Sequence, residues 1–322
     1  MLKRCAISKP FPLAVASAFA ISVALCSAAH GQDRPQATSP QAAGHVESQA
    51  QPPTPEEIHA RTQRLIANQH KDDAALDEYE RVERYQDFTL GAHPQTIEDK
   101  TFRIVPDGGG TVKILLKDKG TPTDPADYRR QLQLWEDILE RILQPDNSRG
   151  KAAREKYEKR QHDRADFVDA AAQAYLVKWV GQEIRNSRRC DIFELTPNPA
   201  FQPHSMFQSA LAHVTAKIWV DRDSGQMVRG EANVLSDISF GGGLLGKLYR
   251  GSFVSMEQAE VAPGIWLPAR TEYQFSGRKF LFPFSEHQII EASHYRHLGS
   301  PREALAIVQN ELATGKPFSE DP

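Results

Sequence analysis

The sequence predicts an α+β chain in which a meander of antiparallel strands carries helices on one face. Two stretches of alternation and a set of short turns carry that expectation. In residues 266–275, Leu267, Ala269, Thr271, Tyr273 and Phe275 share one side of an extended chain, with Arg270, Glu272 and Gln274 opposite. That period of two marks a strand with one wet face. In residues 226–236, Val228, Gly230, Ala232 and Val234 alternate in the same way with Arg229, Glu231 and Asn233. The inward residues there are small, which leaves room above the sheet. The connections DRDSG (221–225), Ala262-Pro263-Gly264 and Ser276-Gly277 are built of turn formers and join antiparallel neighbours.

From the first residue onward, Met1-Leu2-Lys3-Arg4 is a basic start, followed by an apolar run over about 11–26 and then small residues. This is the form of a secretory signal peptide, residues 1–31, with an apolar core too short for a spanning helix. Cys26 makes a poor lipid-anchor site, because Leu25 stands where a small residue is wanted. Of three cysteines, a mature chain keeps Cys190 alone, so no internal disulfide can form and stability rests on a packed core. Residues 32–53, rich in Gln, Pro, Ala and Ser, read as a disordered linker.

Order begins where Thr54, Pro55 and Glu57 form a helix start with a capping box. The helical pattern runs to about Tyr85, with a break near Asn68, and a strand is expected over 87–90. Residues 101–105 and 111–117 flank Pro106-Asp107-Gly108-Gly109-Gly110, a hairpin with a glycine turn. Asp124-Pro125 opens a helix whose Tyr128, Leu132, Trp135, Leu139 and Ile142 share a face. A stripe with a Trp must be buried, most simply against the open face of the sheet. Residues 150–174 read as a second helix, densely and evenly charged at first, so a solvated face. Strands resume at 175–184 and 190–195, then 216–220, 226–236, 253–261, 266–275, 279–284 and 288–295. Residues 301–312 form a closing helix. The whole of 54–322 is expected to be one domain with a helical insertion at 125–174.

No catalytic constellation stands out. Residues 241–247 have P-loop spacing, but Leu248 replaces the Ser or Thr that such a loop needs. The better reading of 240–251 (FGGGLLGKLYRG) is a short apolar turn or helix between flexible glycines, a lid over a cavity or an ordinary connection. His294 and His297 fall on opposite faces of a strand, and His204, His213 and His287 lack partners at ligand spacing. No nucleophile elbow occurs, and Cys190 reads as a packed core residue. Trp219 and Trp266 read as core or rim. The formal net charge of −3 offers polyanions nothing, so nucleic acid is not an expected partner. No metal or cofactor is expected.

With its order of leader, helix, strands, helices and strand run, the chain resembles the LolA-like superfamily of outer-membrane lipoprotein-sorting and lipoprotein-carrier proteins. Lys217-Ile218-Trp219-Val220-Asp221 with Ser224-Gly225, then residues 240–252 and Trp266-Leu267-Pro268, carry the likeness. It covers about residues 74–296. The resemblance implies a strongly curved antiparallel sheet, an unclosed half-barrel, with helices packed in its concave face and an apolar cavity that takes acyl chains. Residues expected to line that cavity or cover it are Trp135, Leu139, Trp219, Val228, Gly230, Ala232, Val234, Phe240, Leu244, Leu245, Leu248, Tyr249, Tyr273 and Phe275. Such a protein is exported to the periplasm or envelope, peripheral to a membrane at most, and its partner is a lipid or a lipoprotein acyl chain. The alternatives are a non-catalytic envelope sensor or structural module that contacts another protein, and a hydrolase with unrecognised carboxylates.

Overall fold

The computed structural model describes residues 51–315 other than 92 and 145–147, together with residue 318. The leader, Cys26 and most of the linker lie outside these. Thr54 and Glu57 form the expected capping box of helix α1, Pro55–Leu76. The chain then becomes extended eight residues earlier than the sequence suggests: β1 is Tyr79–Phe88. Its YERVERY segment hides the strand period because charges occupy both faces.

β2 (Thr96–Pro106) and β3 (Thr111–Asp118) form the glycine-turn hairpin, and β4 is the two-residue Thr121–Pro122. Helix α2, Pro125–Leu143, is capped by Asp124, whose side chain accepts from the backbone of Ala126 and Asp127. Helix α3 spans Ser148–Ala174. Next come β5 (Tyr175–Arg185), β6 (Arg188–Pro197), a short helix α4 (Met206–Ala210), β7 (Val214–Asp221) and β8 (Met227–Val234). β9 (Ile238–Phe240) and β10 (Gly246–Leu248) follow, then β11 (Phe253–Ala262), β12 (Ile265–Lys279), β13 (Phe282–His297) and helix α5 (Pro301–Thr314).

All pairings are antiparallel. The strand order is β4-β3-β2-β1-β13-β12-β11-β8-β7-β6-β5, with β9 and β10 as a flap on the end of β12. The two ends of that order are not joined among the described residues, so the sheet is an unclosed half-barrel. Two turn expectations are corrected here. Ser276-Gly277 is not a turn. β12 runs on to Lys279, and Gly277 pairs with Leu248 of the flap. A Cβ at that position would fall on the Lys247 carbonyl oxygen, so glycine is needed for the backbones to meet. The apolar part of 240–251 is accordingly a strand, β10, and not a helix.

The inner face is covered on the β5–β8 side by α1, α3 and α4. Leu65, Phe167, Ala170, Ala171 and Ala174 pack on Phe193, Leu195, Ile218, Met227, Ala232 and Met256 as one core. The alanines let α3 lie close to the strands. α1 crosses the strand ends like a bar. Arg61 pairs with the buried Asp191, Arg64 donates to the Asp223 carbonyl (2.9 Å), Asn68 to Ser224 (3.1 Å) and Lys71 to Gly264 (2.7 Å), while Asp72 accepts from the Trp266 amide (3.0 Å).

α2 does not lie on that inner face, contrary to the expectation from its Trp stripe. Leu132, Trp135 and Leu139 pack with α5 on Val105 and Ile114, whereas the intervening Ile104 points inward. α2 and α5 therefore cover the outer face of β1–β3. The sequence does not show this because the end of β2 is buried on both sides.

At the centre of that outer layer lies Arg103, fully buried. It donates to Glu80 (2.7 and 2.9 Å), to Glu311 of α5 (2.7 and 2.9 Å) and to the Tyr128 hydroxyl of α2 (3.1 Å), and Arg296 also donates to Glu80. Removing one member of a buried ion network strands the rest. Arg103→Ala is expected to lower unfolding free energy by about 3–5 kcal/mol, and adding Glu80→Gln to recover part of it. Urea unfolding of the three proteins checks both.

Candidate functional site

The inner face is packed at one side and hollow at the other. Under the β5–β8 side a gap of about 10 Å³ remains between Leu65 and Phe193. Between β1–β3 and β11–β13, with the end of α1 and the middle of α3 above, lies a hollow of about 210 Å³. Its register is continuous across the strands: Tyr85 pairs with Ile290, Ile290 with Thr271, and Thr271 with Met256. Met256, Thr271, Tyr273 and Ile290 form its apolar side, and Arg81, Glu83, Tyr85, Ile104 and Lys113 the other. α3 is held over it from two points. Arg160 donates to the Gly109 carbonyl (2.6 Å), and Tyr157 and Gln161 donate to Asp77 at the end of α1.

The charged side is unusual for a buried surface. Burial works to raise the Glu83 carboxyl, but the Arg81 guanidinium and the Tyr85 hydroxyl outweigh it and hold its pKa below the usual range. Arg81 donates to Glu83 at 2.6 Å, and Tyr85 caps its other oxygen. The Lys113 ammonium sits 3.7 Å from the Tyr85 ring centre, a cation–π contact. The surrounding protein holds its pKa below the ordinary lysine value.

Of the residues expected from sequence to line or cover a cavity, Tyr273 lines this hollow. Gly230, Ala232, Val234 and Leu248 are buried in the packed half, with Phe240 and Phe275 half-buried at its border. Trp135 and Leu139 belong to the outer α2–α5 layer. Val228 does not share a face with Ala232. Trp219 pairs with Arg229, but Val220 pairs with Met227, so a bulge at Val228 inverts the alternation. Val228 and Trp219 therefore pack together outside, with Cys190, Ile192 and Trp266. Leu244 and Leu245 are exposed at the tip of the flap, beside Phe280, Leu281 and Phe282 of the β12–β13 turn, and Tyr249 is half-buried below them. The hollow's cations were missed. Arg81, Lys113 and Arg164 lie far apart in sequence, and what joins them is the register of Arg81 and Lys113 across β2 and the packing of α3 above, rather than a motif.

Other chemistry stays scattered. Burial pushes the Cys190 thiol up to about 12, which makes it a poor nucleophile. His294, in a left-handed conformation at a bulge, contacts Ser293, and His297 contacts Glu78. Among the described residues no group of three His, Cys, Asp or Glu side chains is placed to hold a metal ion, and no helix is long and apolar enough to cross a membrane.

No family model matches the sequence, and neither does any curated protein. Solved structures do show a likeness. One is described as an outer membrane lipoprotein-sorting protein domain from Vibrio parahaemolyticus. It is 10% identical, with a TM-score of 0.30, over 76% of this chain and 97% of that one. Another is a DUF1329 family protein from Desulfovibrio piger, 12% identical, with a TM-score of 0.29, over 74% and 92%. Likeness at that level says nothing of ligand or activity.

Beside the hollow, burial raises Asp73 to about 6 against the pull of Arg164, Gln69 and His70. The folded chain thus keeps a proton that the unfolded chain loses near 3.8. This group's contribution to stability is full below that value and falls as pH rises through about 6. Asp73→Asn removes the titration while keeping an acceptor for Gln69. The variant is expected to gain on the native protein between pH 4 and 7, by up to about 3 kcal/mol, in urea midpoints read at intervals across that range.

Proposed function

We propose that this chain is an exported, non-catalytic binding protein that holds a hydrophobic ligand, a lipid or lipoprotein acyl chain, in its half-barrel. One observation carries the reading: the inner face of the sheet is left unfilled between β1–β3 and β11–β13, where Met256, Thr271, Tyr273 and Ile290 line a hollow beneath α3. Unfilled apolar concavities are the usual seats of small hydrophobic molecules. Burial needs no catalytic group, since each methylene removed from water contributes about 0.8 kcal/mol.

The size of the hollow sharpens the proposal. At about 210 Å³ it falls below the roughly 300–1,000 Å³ of ordinary ligand pockets. It takes part of an acyl chain as it stands, and a longer chain needs α3 to rise. α3 is tied there by polar contacts to Gly109 and Asp77, which water can replace, while its apolar anchorage lies further along, at Phe167 and Ala171. The basic, apolar and small-residue order of residues 1–31 supports export.

A second reading, a sensor or structural module acting through protein contacts, is favoured by the exposed tip formed by Leu244, Leu245, Phe280, Leu281 and Phe282. Exposed apolar clusters of that kind commonly mark interaction surfaces. Cross-linking in the envelope that captures a protein through this tip, with no lipid in the purified chain, would favour it.

Solvent extraction of the purified protein is expected to release lipid detectable by mass spectrometry. Ala292, half-buried on β13, lines the hollow, and Ala292→Trp is expected to fill it. The variant should lose at least tenfold in affinity for a fluorescent apolar probe while keeping its circular dichroism spectrum. Unchanged probe affinity in the filled variant would remove the hollow from consideration as the binding site.

A further inference from the structure

We propose that the hollow selects amphiphiles that carry an anionic head group, a phosphate or a carboxylate, and that Arg81, Lys113 and Arg164 receive it. The inference rests on the reading of the hollow as a hydrophobic-ligand site and adds the chemistry of the ligand's other end.

Strand register brings two of the cations together. Arg81 of β1 pairs with Ile104 of β2, and Ile104 pairs with Lys113 of β3. The two side chains therefore rise from the same face two strands apart, about 10 Å at the backbone, with Ile104 as the floor between them. Arg164 reaches the same space from α3, which lies above. Long side chains converging from three elements across that distance leave room for a group the size of a phosphate.

The donors in this corner are not all met. Glu83 is engaged by Arg81 and by the Tyr85 hydroxyl. Asp77 is engaged by the neutral donors Tyr157 and Gln161. Arg81, Lys113 and Arg164 thus face Glu83, Asp77 and, through Arg164, the buried Asp73. One terminal nitrogen of Arg81 and one of Arg164 are buried without any hydrogen-bond partner, and leaving such donors unmet is costly. An oxyanion supplies the missing acceptors, and charge-assisted bonds to guanidinium are the strong ones.

The layout also suits a molecule with two ends. Arg81 and Lys113 stand on the β1–β3 side, while the β11–β13 side presents Met256 and Ile290, and its lining cation, Arg270, is engaged by Glu272 and Glu291. A head group placed over Ile104 directs its tail along the sheet toward that apolar side. A free anion would leave the apolar side empty, and an uncharged tail would leave the guanidinium nitrogens unmet.

The test compares dodecyl phosphate, dodecanoate, dodecanol and inorganic phosphate as competitors of a fluorescent probe in the full mature chain. Dodecyl phosphate and dodecanoate are each expected to bind at least tenfold more tightly than dodecanol, and inorganic phosphate not to compete at the same concentrations. Arg164→Gln and Lys113→Gln, each confirmed folded by thermal melting, are expected to shrink the advantage to threefold or less and to leave dodecanol unchanged. Equal affinity for charged and uncharged tails overturns the head-group assignment and leaves the apolar site standing. So does a loss in the variants that falls equally on dodecanol. Competition by inorganic phosphate alone overturns it in favour of a simple anion site. If no amphiphile binds, both the assignment and the hydrophobic-ligand reading fall.

Discussion

An antiparallel sheet that stops short of closure must have its apolar surface covered by something other than itself, and the arrangement of this chain follows from how that cover is shared. Neither face is apolar throughout. The inner face is greasy under β5–β8 and is sealed by α1, α3 and α4. The outer face is greasy behind β1–β3 and is sealed by α2 and α5. The two covers lie at opposite ends of the strand order and on opposite sides. What is left is the inner face of β1–β3 and its neighbours, roofed by the end of α1 and the middle of α3. The hollow is thus a result of placing two helices outside rather than inside.

Polar anchoring holds this division in place. Arg103 ties Glu80 of the sheet to Glu311 of α5 from a fully buried position, and Trp135 donates to the Pro106 carbonyl at 3.0 Å. Across the hollow's other boundary, α1 spends its polar residues on the turns at the strand ends. A network of that sort specifies position more than it adds stability, because desolvation offsets much of the attraction between buried charges. In this fold the position specified is which helix lies on which face.

How much of this is legible in the sequence depends on whether the controlling contact is local. Helix α2 can be read directly: Asp124 caps it, Pro125 begins it, and the spacing of Leu132, Trp135 and Leu139 belongs to the helix itself. The face on which it lands cannot be read, because Ile104 and Val105 are both buried, on opposite sides of β2. β1 is obscured for a related reason. Its Glu80 and Glu83 look like a helix surface until Arg103, twenty-three positions on, and Arg296, further still, are seen to neutralise Glu80. The alternation in β8 holds from Gly230 to Val234 and fails at Val228, where one extra residue enters a pairing. Bulges leave no mark in composition. The candidate site is the least legible part, since two of its cations share only a register and the third arrives on a helix packed above them.

The incomplete closure of the sheet leaves two margins, and they are unlike. One ends in β4, two residues long, where Pro122 has no amide proton to offer. The other is β5, eleven residues long, with Leu176 and Ile184 open to solvent and an irregularity between Trp179 and Gly181. Of the two, the second is the one on which a foreign strand seeking backbone partners would find a usable template, broken by the irregularity into two short registers. Any sheet extension between copies of this chain therefore has one direction of growth and no matching acceptor at the far end, which favours a capped pair over a fibre.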